Sequence, residues 1–351
     1  MNWVRCLGLI IILCIGAFFA YRAIQHSSVK DFWGDETFGL QGTARGESYQ
    51  ELLSSGARGQ GSRAPLDYIF IKSLDSVYKP FFENIPPNVY YRLNSIFWDF
   101  LAGILVAVLS LLALDREKSH PGVLGAQVFL ICYALIVFYF KRDNMHFATE
   151  MRPYALWNSL WYVMLGCVML RLPAIWLFLA GILLALTSSG ALLQIPSLAL
   201  AQAIIRLVNR DNLSSIPRDT ISIYLVPFLI ALFYTMHAEK FTYVKSALDY
   251  QHYSHEFLLF WISKWRTAVL SVAGIFLTIW HRRGQGCAIV FLSLLLLYGA
   301  APAINSKILS TGFFFTSRQY LYFDLIFPIF IYTVGLVLPE YLNTITKKGK
   351  L

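Results

Sequence analysis

Long apolar runs separated by shorter polar stretches dominate the chain. Runs of helix length occur at 3–24, 95–114, 121–140, 153–170, 172–191, 192–208, 221–237, 257–280, 287–304 and 319–338. Because about 20 apolar residues in a helix cross the hydrocarbon core of a bilayer, each run is a candidate membrane span. The pattern predicts an all-α, polytopic membrane protein with about ten transmembrane helices.

Composition supports this class. Hydrophobic residues make up 57% of the chain and charged residues only 14%, which is far from the composition of a soluble globular domain. The net charge of +9 fits cytoplasmic loops and lipid headgroups. No basic segment with interleaved aromatic residues is present, so membrane lipids rather than nucleic acid are the expected contacts.

The first apolar run, 3–24, predicts a retained helix rather than a cleaved signal peptide. It is long for a signal peptide, and no small-residue cleavage site follows it cleanly. The five cysteines lie inside apolar runs and form no C-x-x-C pair, so neither a disulfide framework nor a thiolate metal site is indicated.

Basic residues in the short loops predict the orientation, because cytoplasmic loops are enriched in lysine and arginine. With both termini in the cytoplasm, that side receives Arg116, Lys118, Arg206, Arg210, Arg218, Arg282, Arg283, Lys347, Lys348 and Lys350. The outer short loops then carry fewer, chiefly Lys141, Arg142, Lys240, Lys245 and Lys307. The chain is interpreted as one membrane-embedded domain, 1–351, whose long first outer loop, 25–92, contains amphipathic segments.

Two adjacent acids in the stretch "DFWGDETFGL" are the first candidates for chemistry. Asp35 and Glu36 follow the first span among Phe32, Trp33 and Phe38. Apolar surroundings can desolvate a carboxylate and raise its basicity, although a solvated interfacial acid pair is the alternative. Neighbours on a helix point about 100° apart, so the two acids are expected to have different roles.

Arginine and tyrosine recur where outer loops enter spans. Glu150, Arg152 and Tyr154 precede the fourth span, and Arg318 and Tyr320 precede the last one. An arginine at membrane depth can face a polar cavity or an anionic partner. Alternatively, it can extend its head group to the interface. The sequence predicts substrate contacts for this set and phosphate binding for the two arginines.

Two more cations lie in the outer half of the span 257–280. Lys264 and Arg266 either extend to the interface among Trp261 and Trp265 or bind a phosphate group.

The outer loops also contain isolated candidates. Asp143 and His146 are candidates for acceptor contacts. His252 and His255 have a spacing at which two imidazoles can share one helix face, which leaves a divalent metal open; an ordinary histidine-rich interface has the same pattern. No nucleotide-binding or serine-hydrolase motif is present.

An acidic pair shortly after the first of many spans resembles the GT-C superfamily of membrane glycosyltransferases. The branch concerned is similar to protein O-mannosyltransferases and to bacterial enzymes that use polyprenyl-phosphate sugars. "SRAPLDYIF" (Ser62–Phe70) resembles the "HPPLYY"-like segment of that family, with Arg63-Ala64 where His-Pro often begins. "EMRPYAL" (Glu150–Leu156) and "SRQYLYFDLIFP" (Ser317–Pro328) resemble two further family stretches.

The resemblance implies an inverting transferase of the bacterial inner membrane with a periplasmic active site. A sugar on undecaprenyl phosphate would be the donor, and an envelope glycan, lipid or protein the acceptor. Asp35 would take the acceptor's proton, and Glu36 would orient the acceptor or the loop. Arginine and lysine would supply the positive field, so no metal or other cofactor is needed in principle.

Two other functions remain open at this point. A flippase or transporter of lipid-linked glycans would use the same cations without needing a base, although the lack of an internal repeat disfavours that class. A polysaccharide polymerase or ligase on the periplasmic face is the other alternative.

Overall fold

A computed structural model describes residues 3–59, 63–114, 121–169, 172–208 and 215–237. Every regular element in these ranges is helical. The helices are α1 Trp3–Ser28, α2 Gly34–Phe38, α3 Tyr49–Ser55, α4 Leu66–Phe82, α5 Pro87–Tyr90, α6 Leu93–Ala113, α7 Pro121–Phe140, α8 Arg142–Ala148, α9 Tyr154–Met169, α10 Ala174–Thr187, α11 Ala191–Val208 and α12 Ile216–Met236. A π-helical segment, Gly39–Ala44, continues directly from α2.

The first seven apolar runs of the sequence coincide with α1, α6, α7, α9, α10, α11 and α12. Within the described ranges, four helical stretches are long and apolar enough to cross a membrane: Trp3–Ser28, Pro87–Leu112, Gly122–Phe140 and Arg218–Met236. The protein is therefore an all-helical membrane protein in its described part.

The sequence predicts ten spans, six more than these four helices. Helices α9 and α10 have 16 and 14 residues, which is shorter than the about 20 residues of a typical span. The last three predicted spans, 257–280, 287–304 and 319–338, lie outside the described residues.

Helix α6 lies at the centre of the described bundle, against α1, α7 and α9. Helix α10 continues the bundle against α9 and α12, and α11 packs on α12. The rings of Phe19 and Tyr139 stack with centroids 4.2 Å apart, which joins α1 to α7. The Tyr139 hydroxyl donates to the carbonyl of Phe100 at 2.5 Å, so α6 is tied to the same point.

The segment between α1 and α6 folds over one end of this bundle. Its apolar side chains form a second core of Leu40, Leu52, Tyr68, Ile71 and other residues, which also includes Met151 from the α8–α9 connection. Helix α4 spans the amphipathic stretch seen in the sequence. This packing brings the end of α1, the start of α6 and the start of α9 together at one end of the molecule.

Candidate active site

The acids of "DFWGDETFGL" lie in the first turn of the short helix α2. Trp33 is extended and precedes the helix, and the side chain of Glu36, three residues later, accepts from the Trp33 backbone N–H at 3.2 Å. Carboxylates are favoured in a first turn because its backbone N–H groups are unpaired and the helix dipole is positive there. Local sequence thus explains why this turn forms, but it does not distinguish the two acids.

Glu36 is fully buried in an ion pair with Arg92, and neither side chain has exposed surface. Its Oε1 accepts from Arg92 Nε at 3.0 Å, and its Oε2 accepts from Arg92 Nη2 at 2.7 Å. The Met151 backbone N–H donates to Oε1 at 2.7 Å. With the Trp33 N–H, four donors surround this carboxylate, so its oxygens are engaged in holding α2 against α6 and the α8–α9 connection.

Arg92, the residue preceding α6, connects this carboxylate to the end of α1. Its Nη1 donates to the carbonyl oxygen of Ser27 at 3.2 Å and to that of Lys30, and its Nη2 donates to that of Asp31 at 2.8 Å. Together with the two bonds to Glu36, these contacts occupy all five N–H groups of the guanidinium. The last carbonyls of a helix lack intrahelical donors, and Arg92 shares with Asn88 the task of satisfying those at the end of α1.

Asp35 has a different environment. Its side chain is 52% exposed, and its Oδ2 lies 3.5 Å from Nη1 of Arg152. The Arg152 guanidinium lies 5.6 Å from the ring centroids of both Trp33 and Tyr154. Arg152 Nε is buried and has no hydrogen-bond partner among the described residues. The site therefore combines an accessible carboxylate, Asp35, with a cation, Arg152, that lies against aromatic rings and whose Nε lacks a hydrogen-bond acceptor among the described residues.

A third carboxyl group, Asp67, lies buried in the first turn of α4, with 1% of its surface exposed. Its Oδ1 accepts from Asn94 Nδ2 at 3.0 Å, while its Oδ2 has no hydrogen-bond partner in the described part of the chain. Burial raises the pKa of Asp67 to about 7, against the opposing effect of the positive charge on Arg152. This group therefore changes its protonation in the neutral pH range.

Glu150 lies in a small cluster with His146 and Lys30. Its Oε1 is 2.9 Å from His146 Nε2 and 3.4 Å from Lys30 Nζ, and its side chain is buried. Its backbone carbonyl accepts from the Ser95 hydroxyl at 2.7 Å. Glu150 thus connects α8, α6 and the segment that follows α1.

The structure brings together the outer stretches 31–40 and 141–156, which contain Asp35 and Glu36 and the predicted residues from Asp143 to Tyr154. Asp143 is the second residue of α8, and Tyr154 is the first residue of α9. The remaining predicted site residues, Lys264, Arg266, Arg318 and Tyr320, lie outside the described residues, as do His252 and His255. In the part of the chain that is described, no group of three His, Cys, Asp or Glu side chains is placed to hold a metal ion.

Sequence reasoning missed Arg92 and Asp67. In the sequence, Arg92 resembles an ordinary arginine at the edge of a span, and Asp67 resembles an acid that starts an amphipathic helix. Their positions could have identified them. Asp67 lies inside the stretch "SRAPLDYIF", and Arg92 lies just before the second predicted span.

The candidate active site is therefore the group formed by Asp35, Arg152, Tyr154 and Asp67, fastened by the buried pair of Glu36 and Arg92. Comparison with known proteins found no matching family model, no matching curated protein and no matching solved structure for this chain.

Proposed function

We propose that the protein is an inverting glycosyltransferase that moves a sugar from a polyprenyl-phosphate donor to a hydroxyl acceptor at the periplasmic face of a bacterial inner membrane. The observation that carries the proposal is the pairing of an exposed carboxylate, Asp35, with a partly desolvated cation, Arg152, at the end of apolar helices. A base and a phosphate-binding cation are the two groups that such a transfer requires.

Asp35 is suited to the role of general base because its oxygens are accessible. In the proposed reaction, the acceptor hydroxyl transfers its proton to Asp35 as its oxygen attacks the anomeric carbon. The bond from that carbon to the phosphate oxygen breaks, and the polyprenyl phosphate leaves with the electron pair. Attack from the side opposite the leaving group inverts the anomeric configuration.

Arg152 is suited to the departing phosphate, which gains one negative charge in this step. Its contact with Asp35 occupies one edge of the guanidinium, and its Nε remains without a hydrogen-bond partner among the described residues. A charge-assisted hydrogen bond to a phosphate oxygen contributes about 1.5–3 kcal/mol. The further cations proposed for the donor, Lys264, Arg266 and Arg318, would add to this field.

The membrane helices explain why the donor would be a lipid. The group lies where α1 ends and α6 and α9 begin, next to helices that present apolar surface outward, such as Leu13 and Phe18 of α1. A polyprenyl chain can remain in the bilayer while its head group reaches Asp35 and Arg152. Glycan, lipid and protein acceptors are all compatible with an opening toward water.

Transfer by purified protein from synthetic polyprenyl-phosphate sugars tests the proposal. Replacing Asp35 with Asn should lower the rate by about a hundred- to ten-thousandfold, because it removes the base, at unchanged protein abundance. Glu36→Gln leaves the buried Arg92 without its counter-charge and should lower the amount of folded protein, and the folded fraction should keep partial activity. Asp31→Asn, which changes an exposed acid in the same stretch, is the matched control and should transfer at the parental rate.

Parental activity of Asp35→Asn would exclude Asp35 as the base. If the wild type transfers no sugar but moves lipid-linked glycan across vesicle membranes, the protein is a transporter and the proposal is wrong.

A further inference from the structure

Two carboxyl groups share the positive charge of Arg152. Asp35 contacts the guanidinium directly and is half exposed, whereas Asp67 is buried and feels the same charge without a direct hydrogen bond. Water stabilises the charge of an exposed carboxylate, but a buried one depends on the few groups around it. The two acids will therefore respond differently when another anion reaches Arg152.

The surroundings of Asp67 are well defined. Trp98 Nε1 donates to Asn94 Oδ1 at 2.9 Å, which turns the Asn94 amide nitrogen toward Asp67 Oδ1. Among the described residues, the charged or titratable groups that act on Asp67 or respond to it are Arg152, from the segment preceding α9, and Tyr68, its neighbour on α4. Burial raises the pKa of Tyr68, so this phenol stays neutral in the neutral pH range. Asp67 is thus the group in this set that can gain a proton near neutral pH.

We propose that Asp67 is a positioning residue that takes up a proton when the phosphodiester of a lipid donor binds to Arg152. The inference rests on the proposed function for the identity of the ligand. An incoming phosphodiester adds a third negative group beside one guanidinium, and like charges at short range in a low-dielectric setting disfavour ionisation. The most buried carboxylate loses its charge at the lowest cost, because it has the least hydration to give up. Protonation of Asp67 then leaves Arg152 available to the phosphate.

The direction of the pH dependence follows from linkage. A ligand that favours the protonated form binds best when Asp67 is already protonated, and its affinity falls as the pH rises above the pKa of the unliganded protein, about 7. The fall amounts to about tenfold per pH unit until the pKa of the complex is reached. One proton is taken up per ligand bound within that window.

Calorimetric titration of the full-length protein with geranyl methyl phosphate measures this coupling. The probe is a phosphodiester that keeps one negative charge from mildly acidic to mildly alkaline pH, so its own titration does not interfere. The wild type should lose affinity above neutral pH, and titrations in buffers of different ionisation enthalpy should show uptake of nearly one proton. Arg152→Gln should remove binding.

Asp67→Asn is the decisive variant because its amide mimics the protonated acid in shape. It should bind with an affinity that does not change with pH and that equals the wild-type value at low pH. Asp75→Asn, a change further along α4 in an ion pair with Arg45, is the matched control and should keep the wild-type pH dependence.

Several results would overturn the inference. One is that the wild type fails to bind the probe, and another is that it binds with an affinity that does not change with pH and without taking up a proton. A third is that Asp67→Asn shows the same change of affinity with pH as the wild type. Equal affinity for dimethyl phosphate would overturn the assignment to a lipid ligand. Should Asp67→Asn not fold, the proton-uptake measurement on the wild type decides alone. Sugar transfer with pH-independent binding would refute only this inference, and proton-coupled binding without transfer would refute only the proposed function.

Discussion

The buried pair of Glu36 and Arg92 joins parts of the chain that are distant in sequence. A buried ion pair depends on the groups around it, because an isolated charge in the interior is strongly destabilising. Here four donors surround the carboxylate and five acceptors surround the guanidinium. The pair holds α2, the end of α1 and the start of α6 in one arrangement, and Asp35 is positioned by it.

Replacing Arg92 with Met should therefore destabilise the protein strongly. Glu36 would remain buried without its cation, and the carbonyls of Ser27 and Asp31 would lose a donor, at a cost of about 3–5 kcal/mol. The apparent melting temperature in detergent is the measurement. Arg45→Met provides the control: Arg45 and its partner Asp75 are both partly exposed to water, so breaking their pair should cost less than breaking the buried one. An equal fall in melting temperature in the two variants would mean that the buried pair stabilises the protein no more than the partly exposed one.

The raised pKa of Asp67 predicts a specific pH dependence of stability. The native state keeps this proton up to about pH 7, whereas the unfolded chain loses it near the ordinary value of 3.8. The native state therefore binds more protons between these values, and stability falls as the pH rises through the window.

Asp67→Asn cannot ionise, so it should become more stable relative to the wild type as the pH rises toward 7, by on the order of a few kcal/mol. Asp75→Asn should show the opposite trend. Although burial raises the pKa of Asp75, hydrogen bonds from Arg45 and Tyr91 hold it below its ordinary value. Thermal unfolding across this pH range distinguishes the variants. A difference between Asp67→Asn and the wild type that does not vary with pH would contradict the prediction.

At the scale of elements, the contact between α6 and α7 depends on a residue without a side chain. A Cβ added to Gly103 would lie 2.5 Å from Cζ and Oη of Tyr139. Tyr139 has no room to move, because it is fully buried, stacked on Phe19 and hydrogen-bonded to the Phe100 carbonyl. Small residues let membrane helices approach closely, and this contact fixes α6 against α7.

Gly103→Ala should accordingly lower stability by about 1–3 kcal/mol through overpacking. Gly125→Ala on α7 is the matched control, because no atom of the described residues lies within 4 Å of its added Cβ. Alanine is also the better helix former, so the control should lose no stability. Melting temperatures of the two purified variants provide the test, and a Gly103→Ala protein as stable as its control would show that the two helices can separate at little cost.

At the scale of the whole molecule, the polar groups of the candidate site are gathered at one end of the helix bundle. The hydroxyl of Tyr234, near the end of α12, donates to the Leu53 carbonyl of α3 at 2.8 Å, so α12 finishes at that same end. Arg5, near the start of α1, instead donates to the Leu114 carbonyl just past α6 at 3.4 Å, at the opposite end. The basic residues of the sequence predict that this opposite end is cytoplasmic.

Cysteine labelling of intact cells tests this orientation. A membrane-impermeant thiol reagent should modify Gln50→Cys, which is exposed in α3, and should leave Gly122→Cys, exposed near the start of α7, unmodified until the cells are opened. The five native cysteines set the background, which a cysteine-free parent removes. The reverse labelling pattern would place Asp35 in the cytoplasm, where a lipid-linked donor presented from outside could not reach it.

The sequence by itself determined the helical class and the positions of the first seven apolar helices to within a few residues. It could do so because an apolar run of that length is incompatible with water whatever its neighbours are, and because a backbone in lipid must satisfy its hydrogen bonds internally. It also marked the stretches 31–40 and 141–156, which the structure brings together. Helix α1 continues to Ser28, about one turn beyond the predicted limit, where Arg92 and Asn88 satisfy its last carbonyls.

Only the tertiary structure decided how the charges of the site are arranged. Asp35 and Glu36 are adjacent acids in one turn, yet one is half exposed and the other is sealed in an ion pair with a residue 56 positions away. Asp67 likewise depends on Asn94 and Arg152, which come from other elements. Burial and electrostatic environment are sums over neighbours that are distant in sequence, so no local pattern of residues contains them.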